Sequence, residues 1–87
     1  MKDFLEAFDQ MPVGAFTATF DGRRYEAVRS VFANGKSEKL VAHEAGGADY
    51  ISLNLYRLSD GRVLLKPCEV TEAKVRAFVL SLKVGAP

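Results

Sequence analysis

The sequence predicts an α+β domain: a five-stranded antiparallel β-meander, in the order 1-2-3-4-5, with an N-terminal and a C-terminal helix packed on one face. Turn chemistry is the first observation behind it. Asp21-Gly22, Asn34-Gly35, Gly46-Gly47 and Asp60-Gly61 punctuate the middle of the chain, and Asn-Gly and Asp-Gly favour hairpins because both residues tolerate the positive φ of a type I′ turn. Secondly, the segments between these turns alternate or are rich in β-formers. Thirdly, a helical apolar pattern flanks the strands on each side.

At the N-terminus, Phe4, Leu5 and Phe8 share one helical face, Asp3 and Glu6 have capping-box spacing, and Met11-Pro12 stops the helix. Strands are expected at about Val13–Phe20, Arg24–Ala33, Lys36–Glu44, Tyr50–Leu58 and Arg62–Lys66, joined by connections too short for parallel crossovers. Pro67 ends the pairing and Thr71 is placed to cap the second helix. There Val75, Phe78, Val79 and Leu82 recur at i, i+3, i+4 and i+7, and Gly85 is the expected stop. The 87 residues contain no repeat, low-complexity tract or linker, so a single domain over 1–87 is expected.

Side chains alternate across a sheet, so paired strands must agree about which face is the core. A turn over Ala45–Ala48 pairs Glu44 with Asp49, Ala42 with Ile51, Leu40 with Leu53 and Glu38 with Leu55. Two-residue turns at Asn34-Gly35 and Asp21-Gly22 bring Tyr25, Ala27, Phe16, Ala18 and Phe20 to the same face, which the helices should cover. One residue conflicts: Arg29 also lands there. A bulge at Gly35 would instead turn Val28 and Phe32 inward, and the sequence is compatible with either register.

In the preferred register the opposite face gathers Thr17, Thr19, Arg24, Glu26, Val28, Ser30, Phe32, Ser37, Lys39, Val41, His43, Tyr50, Ser52, Asn54 and Tyr56. It is more apolar than a solvated sheet face usually is. A second copy of the chain or another protein would cover it, or the sheet would close partly into a small barrel with flanking helices, the alternative fold. A ligand or a nucleic acid is the remaining occupant. On this face Arg24, Lys39, His43, Tyr50, Asn54 and Tyr56 are the candidate binding residues: tyrosines offer stacking platforms and cations can follow phosphates. Against that, twelve Lys and Arg nearly balance eleven Asp and Glu, so no bulk field attracts nucleic acid or an anionic membrane.

His43, Glu44, Asp49, Tyr50 and Cys68 are expected at one rim of the sheet. Cys68, the sole cysteine, is a candidate reactive thiol, since it precedes the second helix. With one strand between them, however, His43 and Cys68 begin about 9.6 Å apart, too far for a Cys-His pair in a flat sheet. A lone cysteine and a lone histidine give no zinc pattern, and no phosphate-loop spacing or nucleophile elbow is present. No cofactor or metal is therefore expected. The absence of a long apolar run or signal-like start points to a cytoplasmic protein without a membrane partner. The expected function is non-enzymatic binding or protein interaction, in a homodimer or with another protein, through the second sheet face. The alternatives are a single-stranded nucleic-acid binder and a thiol-dependent enzyme or redox sensor centred on Cys68.

Overall fold

The structure is a computed structural model that describes residues 1–85. In chain order it contains α1 (Lys2–Gln10), β1 (Gly14–Phe20), β2 (Arg23–Phe32), β3 (Ser37–Glu44), β4 (Tyr50–Arg57), β5 (Val63–Pro67), α2 (Glu72–Ser81) and β6 (Lys83–Val84). The strands form one open sheet in the order β5-β4-β3-β2-β1-β6, antiparallel throughout. The expected meander is therefore present, not closed into a barrel, and carries a short sixth strand.

Turn chemistry sets the registers. Asp21 and Gly22 take φ of 54° and 72°, and Asn34 and Gly35 take 57° and 88°, so both pairs occupy the left-handed region that a type I′ turn requires. The resulting ladders place Ala27 opposite both Phe16 and Ala42, Ala42 opposite Ile51 and Leu40 opposite Leu53. This is the register that points Arg29 inward. No bulge at Gly35 relieves it.

Both helices lie on that inward face. Phe4 and Phe8 from α1 and Val75, Phe78 and Val79 from α2 are buried with Tyr25, Ala27, Leu40, Ala42, Ile51, Leu53 and Leu55 from the sheet. The Phe78 ring meets Tyr25 edge-on at 5.1 Å, a geometry that favours aromatic pairs beyond their buried area. Thr71 caps α2 by accepting a hydrogen bond from the Lys74 amide at 3.1 Å. At the start of α1 the expected capping box does not form. Met1 occupies the cap position without a side-chain bond, and Asp3 lies inside the first turn, where its charge suits the helix dipole.

Past α2 the chain departs from expectation again. The helix ends at Ser81, four residues before Gly85, because Leu82 turns extended (φ −63°, ψ 152°) and Lys83–Val84 pair with β1. The Gly85 amide then donates to the Thr17 carbonyl at 2.8 Å. Satisfying the outer backbone groups of β1 thus takes precedence over another helical turn. At the opposite edge the Cys68 amide donates inward to the Ser52 carbonyl at 2.9 Å. By alternation, the position of Pro67 is one where an amide would point outward, so proline costs the ladder nothing there.

Arg29, 7% exposed, is held by a network at one end of the inward face. Its Nε and Nη2 donate to Glu38 Oε1 at 2.9 and 2.8 Å, and its Nη1 donates to the carbonyl of Met11, just past the end of α1. The guanidinium also lies 4.9 Å from the centre of the Phe8 ring. Arg57 donates to the other Glu38 oxygen at 2.9 Å and to Asp9 at 2.7 Å. Removing one partner of a buried pair strands the other charge, at a cost of about 3–5 kcal/mol, whereas replacing both by apolar groups is often nearly neutral. Urea unfolding of Glu38→Met is expected to show a loss of about that size, largely recovered in Arg29→Met/Glu38→Met. A single variant as stable as wild type would show that the pair does not anchor the fold.

Candidate functional site

The face turned away from the helices is covered by no element among the described residues. Beyond a short outer row of Thr19, Arg24 and Lys83, its strand registers arrange the side chains in four rows across the sheet. The first contains Thr17, Glu26, His43 and Tyr50, and the second Ala15, Val28, Val41, Ser52 and Cys68. Ser30, Lys39, Asn54 and Lys66 form the third, with Phe32, Ser37, Tyr56 and Leu64 in the fourth. Successive rows are about 7 Å apart along the strands.

Exposure distinguishes this face from a solvated one. Phe32 is 53% exposed, Val28 47%, Leu64 39% and Tyr56 36%. His43 packs against Tyr50 with ring centroids 4.9 Å apart, which makes an aromatic pair of the first row. A shallow open depression of about 440 Å³ runs beside it, lined by Ala15, Phe16, Thr17, Glu26, Ala27, Val28 and His43. Lys39 and Lys66 flank Asn54 in the third row, and neither has a carboxylate within ion-pair distance among the described residues.

The candidate residues Lys39, His43, Tyr50, Asn54 and Tyr56 share these rows, while Arg24 lies one row beyond the first, opposite Thr19. Asn54 is turned toward Cys68, its Nδ2 3.4 Å from the thiol sulfur. Cys68 is half-buried and sits past the end of β5, with β4 between it and the His43 strand. No group of three or more His, Cys, Asp or Glu side chains among the described residues is arranged to hold a metal ion.

The residues expected at one rim divide between the two faces. His43, Tyr50 and Cys68 belong to the open face, whereas Glu44 and Asp49 turn toward α2. There the Tyr25 hydroxyl donates to one Asp49 carboxylate oxygen and the Lys74 ammonium donates to the other. Glu44 accepts the Asp49 amide at 3.2 Å and lies 3.8 Å from Arg23. A Cβ at position 47 would meet the Glu44 carboxylate, so a side chain there would displace that carboxylate from its place in the turn. Lys74 is the cluster's polar link from α2 to the β3–β4 turn, and the Tyr25 and Arg23 contacts tie that turn to β2. Sequence reading missed this cluster because its bonds join residues 24 and 25 apart, and Lys74 reaches Asp49 only from the helix.

No family model matches the sequence, and no curated protein or solved structure is similar enough to the chain to count as a match. The surface must be read from its own chemistry. No helix among the described residues is long and apolar enough to cross a membrane.

The α2 cluster has a titration signature. The Lys74 ammonium, and then the Tyr25 hydrogen bond, hold the Asp49 carboxyl below its ordinary value. Burial, followed by the bond to Asp49, pushes the Tyr25 phenol up from 10.0 to about 12. A phenol raised in the folded state contributes stability that is complete below pH 10.0 and lost as the pH climbs toward about 12. Urea midpoints measured across that window are expected to fall less steeply in Tyr25→Phe than in wild type. Equal slopes would show that the Tyr25 phenol is not raised in the folded chain.

Proposed function

We propose that this chain is a non-enzymatic binding domain whose working surface is the open face of its sheet. The observation that carries this reading is the exposed set Val28, Phe32, Tyr56 and Leu64 on a face that no part of the described chain covers. Tyr56 and Leu64 stand opposite one another, with Phe32 in the same row beyond Ser37, and exposed apolar side chains gathered on one face mark interaction surfaces. Both charged clusters, by contrast, lie toward the helices, where their contacts are with the fold itself.

Two measurements test the proposal. Because Phe32 and Tyr56 are exposed, Phe32→Ser/Tyr56→Ser is expected to unfold within about 8 °C of wild type, since each surface substitution away from special features stays within about 0.5 kcal/mol and about 1 kcal/mol shifts the midpoint by about 4–8 °C in a domain of this size. A loss of more than about 8 °C would show that these side chains hold the fold rather than a partner. In an extract of its own source cells, the wild-type chain is expected to elute in a complex and the double variant as the free 9.5 kDa chain. Elution of both as the free chain would overturn the binding reading.

A further inference from the structure

Resting on the binding-domain reading, we propose that the partner of the open face is a single-stranded nucleic acid, with bases on the aromatic rows and phosphates on the lysine row. The distribution of cations carries the argument. Of the twelve lysines and arginines, Arg23, Arg29, Arg57, Arg62, Lys74 and Arg76 have a carboxylate within ion-pair distance. None of these six belongs to the open face. Four of the remaining six, Arg24, Lys39, Lys66 and Lys83, do belong to it, and all four are exposed. Glu26 is the only acid among its strand residues. A chain of net charge +1 thus concentrates its positive excess on this surface, and the rest of the molecule is net acidic.

Placement matters as much as number. Lys39 and Lys66 lie in one row on strands about 9.6 Å apart, with the Asn54 amide between them. Phe32 and Tyr56 occupy the next row, and the His43–Tyr50 pair lies two rows away on the other side. Aromatic platforms on both sides of a cationic track suit a flexible strand whose bases are free to stack. A duplex buries those base faces, and the open sheet offers neither a helix nor a two-stranded ribbon to enter its major groove. A second copy fits less well, since packing this face on itself would desolvate two unpaired lysines per protomer against a single glutamate.

The test uses the full chain and a fluorescein-labelled, mixed-sequence 15-nucleotide DNA strand, with its duplex and an abasic strand of equal length as controls. Fluorescence anisotropy is expected to show binding at 20 mM salt that prefers the single strand over both controls. With Arg24, Lys39 and Lys66 on phosphates, log K should fall with log salt at a slope of about −2, and Lys39→Ala/Lys66→Ala should reduce that slope to below about 1 in magnitude. Tyr56→Ala should weaken binding about fivefold or more without altering the slope. Equal affinity for the abasic strand or the duplex would overturn the proposal, as would no binding at low salt. If the free protein instead sediments as a dimer that Tyr56→Glu dissociates, a second copy occupies the face: the nucleic-acid proposal then fails and the binding-domain reading stands. Failure of that broader reading shows separately, as elution of the wild-type chain alone from extract.

Discussion

A guanidinium cannot remain charged inside an apolar core unless an anion and enough acceptors accompany it, and meeting that requirement at Arg29 organises much of this molecule. Glu38 supplies the anion, and the carbonyl of Met11 supplies an acceptor where α1 has just ended. Thus the same side chain that fixes how β2 and β3 face the core also receives the end of the N-terminal helix. Slipping the second hairpin by one residue would move Arg29 to the open face and release both contacts. The buried charge therefore acts as a register key, at some expense in desolvation.

At the far end of the same face, Asp49 does for α2 what Arg29 does for α1. Between the Asp49 end and the row that Arg29 shares with Leu40 and Leu53 lies the apolar row of Ala27, Ala42 and Ile51. Each helix is thus held by packing along its length and by a polar fastening at one sheet end. Hydrophobic burial is indifferent to the direction in which a helix lies across a sheet, whereas charge-assisted hydrogen bonds are directional. The two fastenings give orientation to a core that would otherwise tolerate several.

Most of the sheet was legible in the sequence because turn chemistry and alternation are local signals. Asn34-Gly35 and Asp21-Gly22 specify their turns whatever the rest of the chain does, and the core pattern of β3 and β4 admits one pairing. Arg29 looked like a defect in that pattern. Its explanation is also present in the sequence, since the preferred register puts Glu38 on the same face, diagonally across from it, as a partner by charge where its neighbours are partners by burial. Asp9 and Lys74 could not be placed in the same way, because helix orientation is not written in strand periodicity. The sixth strand was hidden for a related reason: Lys83 and Val84 have no turn signal of their own and pair only because β1 has a free edge. On the candidate site, the sequence identified the face and its tyrosines, while the exposure of Phe32 and Leu64 and the isolation of Lys66 required coordinates.

Pro67 gives the open face its significance. A sheet can recruit another molecule through its surface or through the backbone of its last strand, and the second route is nearly indifferent to sequence. Here the outermost strand on one side is five residues long, with a proline where an outward amide would otherwise be offered, and the outermost on the other is two residues long. Neither border is a good template. On the binding reading proposed above, recognition is left to side chains, which can discriminate between partners, and one pyrrolidine ring helps separate selective association from indiscriminate strand-by-strand growth.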